Sequence, residues 1–159
     1  MQVRTRLLLA GACLAATQAI AQVPQYGNNV SLEQARKAMS AAQAECKQRG
    51  WPMAIAIVDN AGQLVAFEKN DNTQNASGMI AQDKAVSAAM LRRSTKVIQD
   101  AVAGGGAGTR FLGLRYASPI EGGVPLVVDG KIVGGIGVSG MASDQDGVIA
   151  KAGADALLK

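Results

Sequence analysis

The chain has 159 residues, 16 Lys+Arg against 12 Asp+Glu, a formal net charge of +4, 48% apolar residues and no histidine. That length suits one domain with a sizeable core, and the 18% charged fraction argues against global disorder. Without histidine there is no Ser-His-Asp triad, no Cys-His pair, no imidazole base and no His-ligated metal, and two cysteines are too few for the usual structural zinc sites.

The first residues have the layout of a secretory signal. Arg4 and Arg6 form a basic region, Leu7 to Ala16 is apolar, and Ala19-Ile20-Ala21 is a small-x-small cleavage site. The apolar run is too short to span a bilayer. A lipoprotein cleavage before Cys13 fits less well, because the segment Ala10-Gly11-Ala12 lacks the usual leucine three residues before the cysteine. The reading is a signal peptide over 1–21, a leader over 22–30 and one domain over 31–159, exported to the periplasm or the extracellular space. Removing Arg4 and Arg6 lowers Lys+Arg from 16 to 14 against 12 acids, so the mature charge is +2. With that charge and five aromatic residues, nucleic acid is excluded as a partner. Cys13 leaves with the signal, and Cys46 is then alone, expected on the buried face of a helix.

The leader reads as loose chain. Ser31-x-x-Gln34 is a capping box, and Leu32, Ala35, Ala38, Met39, Ala42 and Cys46 recur at helical spacing until Gly50 stops the helix. Met53 to Val58 reads as a buried strand, Asp59 to Gly62 as a turn and Gln63 to Lys69 as the partner strand. Met79 to Met90 is a second helix with a small-residue face. On it Lys84 falls between Ile80 and Ala88, where a lysine must be snorkelling, paired or functional. Thr95 to Val102 is a further helix. Gly104 to Gly108 is expected to be a flexible loop, and Arg110 to Ala117 a strand or ordered loop. Val124 to Val128, Asp129-Gly130 and Lys131 to Val138 form a second hairpin. Ser143-x-x-Asp146 is read as a capping box opening the last helix. The fold class is α+β, an antiparallel sheet flanked by helices in the order α-β-β-α-(β)-β-β-α, a profilin-like layout.

Gly135-Ile-Gly137-Val-Ser-Gly140 matches the dinucleotide fingerprint, but no strand follows it before the chain ends. Its glycines are expected to permit close backbone approach instead.

An ordered set of segments carries a resemblance: Ile55-Ala-Ile-Val-Asp59-x-x-Gly62-x-Leu64-Val65, Lys84-Ala85-x-x-Ala88, Gly122-Gly123-Val-Pro125-Leu-x-x-Asp129-Gly130, Gly134-x-Ile-Gly137-Val-Ser139-Gly140, and Gln145-Asp146-x-x-Ile149-Ala150-x-Ala152-Gly153. From about Ser31 to Leu158 the chain resembles the GlcG/HbpS family of haem-binding proteins, found also as the C-terminal domain of PduO-type proteins. The resemblance implies helices on an antiparallel sheet, homo-oligomers, haem or a related tetrapyrrole as ligand, and a sensor or metabolic protein as partner. It implies Thr95 as the iron ligand, since a threonine after the Lys-Ala motif is reported in that role. Family members that use histidine, or a Glu-x-x-Glu surface iron site, have no counterpart here.

Haem is flat and apolar with two carboxylates, so it needs an apolar slot and cations at its edge. Arg92, Arg93, Lys96 and Arg110 are the candidates for the propionates. Thr95, Tyr116, Met90, Met79, Cys46 and Lys84 are the candidates for the iron, and for each except Thr95 core packing or surface solvation is the expected role. The expected function is a secreted haem binder for trafficking, scavenging or sensing. The alternative is an oligomeric accessory protein or a binder of another metabolite. Haem degradation, a name attached to this family, finds no general base or redox motif in the residues.

Overall fold

A computed structural model describes residues 23–158. The expected signal peptide lies outside them. Helix α1 spans Leu32–Arg49, strand β1 Ala54–Asp59, β2 Leu64–Lys69, α2 Ser77–Leu91, α3 Thr95–Ala103, a 3-10 helix Gly106–Gly113, β3 Gly123–Val128, β4 Lys131–Ser139 and α4 Ser143–Asp155. The strands form one antiparallel sheet in the order β2-β1-β4-β3.

Local chemistry explains the boundaries. Ser31 Oγ accepts the Gln34 N–H at 3.1 Å while Gln34 Oε1 accepts the Ser31 N–H at 2.9 Å, the reciprocal capping that the sequence predicts. Asp59 Oδ1 closes the first hairpin by accepting the N–H groups of Ala61 and Gln63. The second hairpin turns through Asp129 and Gly130, both at positive φ, as a two-residue turn between twisted strands requires.

The two faces of the sheet differ in side-chain size, and this sets the layers. In β1, Ile55 and Ile57 join Ile136 and Val138 of β4 in a core with Met39 of α1 and Ile149 of α4. The alternate residues Ala54, Ala56 and Val58 meet Ala81, Ala85 and Ala89 of α2. One face therefore carries bulky residues under α1 and α4, each Ile burial stabilising by about 1.5–3 kcal/mol. The other draws α2 onto the backbone of β4. A Cβ at Gly137 would overlap Ala81 O, and one at Gly135 would overlap Ala85 O. The fingerprint glycines thus serve helix-on-sheet contact, as expected.

Four expectations are corrected. Residues 110–117 form no strand. The chain turns at Gly105 and Gly106, both at positive φ, and continues as the 3-10 helix, so the optional strand drops out of the order. The glycine-rich segment packs on α3, where a Cβ at Gly108 would overlap Ala101 O. The leader is stitched to the sheet: Gly27 N–H donates to Ile132 O, and Ile132 N–H donates to Gln25 O, each at 2.8 Å. The fourth correction concerns Asp146. Ala142 is the N-cap of α4, and its N–H donates to Gln145 Oε1 at 3.1 Å. Asp146 is 2% exposed and turned inward.

Candidate functional site

Lys84 is 1% exposed on α2. Its Nζ donates to Asp146 Oδ2 at 2.7 Å and to Val138 O at 3.0 Å. Of the sequence alternatives, the pair is the one realised. The ammonium gets past the end of the sheet because Gly122 sits at φ 125 and has no side chain. A Cβ there would lie 2.8 Å from Lys84 Nζ and 2.8 Å from Asp146 Cβ. The next residue extends the cluster: Gly123 N–H donates to Thr95 Oγ1 at 2.8 Å. Lys84, Thr95, Gly122, Gly123 and Asp146 thus tie α2, α3, β3, β4 and α4 into one buried polar knot. Burial pushes the Lys84 ammonium below its usual lysine value and the Asp146 carboxyl above its usual carboxylate value, in each case against the opposing pull of the partner.

Thr95 is fully buried, and its oxygen is engaged inside the fold. Of the other candidates, Lys84 is buried in the same knot, whereas Arg92, Arg93, Lys96, Arg110 and Tyr116 reach the surface. Arg92 closes α2, and Arg93 Nε donates to Leu91 O at 3.0 Å. Lys96 pairs with Asp100 one turn along α3, which raises its pKa. Arg110 is exposed on the 3-10 helix. Tyr116 is 47% exposed and has the Arg115 guanidinium 5.4 Å from its ring. It borders a cleft of about 250 Å3 lined by Asp83, Val86, Arg115, Ser118 and Pro119. Val97, Leu112, Leu114 and Ile120 add exposed apolar surface in the same stretch of chain.

A wider cleft of about 650 Å3, between the end of α1 and β2, holds only Cys46 of the predicted candidates. Cys46 borders it, but burial pushes the thiol up to about 11, which keeps it neutral and unreactive. Among the described residues no group of acidic and cysteine side chains could hold a metal ion. No helix there is long and apolar enough to cross a membrane.

Sequence reasoning missed Arg115, whose aromatic neighbour Tyr116 was the available signal. It also missed Asp146 as the partner of Lys84, a contact between residues 62 apart in sequence.

A four-stranded antiparallel sheet, with a small-residue helix pressed on one face and two helices on the other, places the chain in the α+β class. The family model described as "Haem degrading protein HbpS-like" matches residues 30–155, and the chain belongs to this family. It is 38% identical over 110 residues to protein GlcG of Escherichia coli K12, covering 69% of this chain and 81% of that one. A double-mutant form of HbpS from Streptomyces reticuli superposes with a TM-score of 0.77 at 27% identity, covering 95% of this chain and all, 100%, of that one. A PduOC–haem complex superposes with a TM-score of 0.73 at 25% identity, covering 82% of this chain and 99% of that one.

Proposed function

We propose that the protein binds haem on the outer surface of α2, α3 and the 3-10 helix, and serves haem trafficking, scavenging or sensing as an exported homo-oligomer. Membership of the HbpS-like family and the likeness to a PduOC–haem complex support the ligand class. The observation that carries the reading is the exposed Tyr116 phenol beside a cleft that Asp83 and Val86 of α2 help to line, with Arg92, Arg93, Lys96 and Arg110 reaching the surface elsewhere in residues 92–110.

The residues fit the group. Cations suit the two propionates, and the exposed Val97, Leu112 and Leu114 suit the apolar ring. Haem would supply a ferric iron that needs a ligand from the protein, and tyrosine is an established one. We assign that role to Tyr116. Thr95, the ligand the resemblance implies, is fully buried and would have to be uncovered first. The cleft of about 250 Å3 is smaller than sites that enclose a drug-sized ligand, about 300–1,000 Å3. One chain would leave a porphyrin partly open, and a second copy could cover the remainder. This favours the homo-oligomer. Export rests on the signal layout of residues 1–21.

The small cleft also favours a second reading, an oligomeric accessory protein or a binder of a smaller metabolite. Titration with hemin separates the two. A saturable Soret shift, weakened and altered in shape by Tyr116→Phe, is expected. A flat titration of folded protein would overturn the haem reading and select the second.

A further inference from the structure

We propose that Tyr26 is a positioning residue that holds Arg92 as the receiver of a haem propionate, an inference that rests on the haem reading above. Arg92 sits at the C-terminus of α2 with φ 53, a conformation that side chains other than glycine adopt at a cost. Something must hold it there. Tyr26 is fixed from both sides by the backbone bonds of Gln25 and Gly27 to Ile132. Its hydroxyl lies 3.1 Å from Ala89 O and 2.9 Å from Met90 O, sharing its proton between two of the last carbonyls of α2. Its ring then carries the Arg92 guanidinium at 5.4 Å.

An aromatic face holds a guanidinium through its plane and leaves the in-plane N–H fork for a carboxylate. The other candidate cations are not prepared in this way. Arg93 spends Nε on Leu91 O, and Lys96 spends its ammonium on both oxygens of Asp100. Arg110 has no aromatic partner among the described residues. Arg92 is half-buried, and the four ion pairs of the described residues leave it out. At 1.5 Å per residue, Arg92 lies about 9 Å along α2 from Val86, which lines the Tyr116 cleft.

The test is to titrate the protein, Arg92→Gln, Tyr26→Leu and Tyr26→Phe with hemin and with hemin dimethyl ester, which lacks the carboxylates. Arg92→Gln is expected to weaken hemin about tenfold, as loss of a charge-assisted bond implies, and to leave the ester unchanged. Tyr26→Leu is expected to weaken hemin alone by about threefold through loss of the stacked ring. Tyr26→Phe keeps the ring and is expected to retain hemin affinity while melting at a lower temperature. If Arg92→Gln does not fold, Arg92→Lys, which keeps the charge and loses the fork, is expected to show a smaller loss, again specific to hemin. Unchanged hemin affinity in the Arg92 and Tyr26→Leu variants overturns the inference and leaves the haem reading standing. Equal weakening of hemin and ester assigns Tyr26 a structural role only and also overturns it. No hemin binding by the unsubstituted protein removes both.

Discussion

Replacing Lys84 with Met strands a charge. Asp146, whose side chain is 3% exposed, would keep the Met141 N–H at 3.2 Å but lose its counter-ion at 2.7 Å. Breaking a buried pair by removing one partner costs about 3–5 kcal/mol, because the remaining charge has neither water nor partner. For a domain of this size, about 2–4 °C of melting temperature accompanies each kcal/mol, so Lys84→Met should melt about 6–20 °C lower. The reciprocal variant Asp146→Asn should lose less. Its orphan is an amine whose pKa burial already lowers, so Lys84 can shed its proton instead. The unfolded chain holds that proton up to the usual lysine value of 10.5, above the lowered folded value. The unfolded state then binds more protons in that window, so the stability of Asp146→Asn should rise with pH. The double variant Lys84→Met/Asp146→Leu removes both charges and should recover most of the loss. Urea and thermal unfolding of all four proteins make the comparison. Single-variant losses below about 1 kcal/mol, the range of exposed pairs, would refute the claim that the pair is desolvated.

The Cys46 thiol titrates near 11 when folded against 9.0 when free, so the folded state holds its proton after the unfolded state has lost it. Stability should therefore fall by about 3 kcal/mol as pH rises from 9.0 to about 11, and a Cys46→Ala variant followed by urea unfolding should lack that part of the fall. Thr95→Val leaves the buried Gly123 N–H without its acceptor and should cost about 1–3 kcal/mol, with hemin affinity unchanged within about twofold. A Soret change as large as that of Tyr116→Phe would return the ligand role to Thr95. Gly137→Ala forces a methyl group against Ala81 O and should cost about 1–3 kcal/mol or more, whereas Gly113→Ala, with nothing within 4 Å, should stay within about 0.5 kcal/mol in the same melting assay. An anionic phenolate holds ferric iron more tightly than ferrous by simple charge, so dithionite should speed transfer of haem to apomyoglobin. Equal transfer rates before and after reduction would argue against Tyr116 as ligand.

Much of this architecture follows from local rules. The Ser31–Gln34 box, the Asp59 turn and the Asp129-Gly130 turn each satisfy their own backbone groups within a few residues, and sequence reasoning finds them. Lys84 was also visible, because a lysine in a row of alanines breaks the pattern of its own helix. Its partner was not. Ser143-x-x-Asp146 fits a capping pattern, yet Gln145 takes the cap and Asp146 turns to a lysine from a distant helix. Tyr26 escaped for a similar reason: its contacts are with carbonyls 63 and 64 residues away, and no spacing within the leader signals them. The stretch from Arg110 to Ala117 looks apolar enough for a strand, but the turn at Gly105 and Gly106 directs it onto α3.

The absence of histidine constrains the site as much as any residue present. A haem held here must take an oxygen, sulfur or amine ligand, and that role is the one proposed for the exposed Tyr116 phenol beside its cleft. The most direct test is to purify the protein and Tyr116→Phe from a haem-replete host and record their absorption and mass spectra. The account predicts a Soret band and intact haem released on denaturation from the unsubstituted protein, with both diminished in Tyr116→Phe. Folded protein with no Soret band and no bound tetrapyrrole would contradict it.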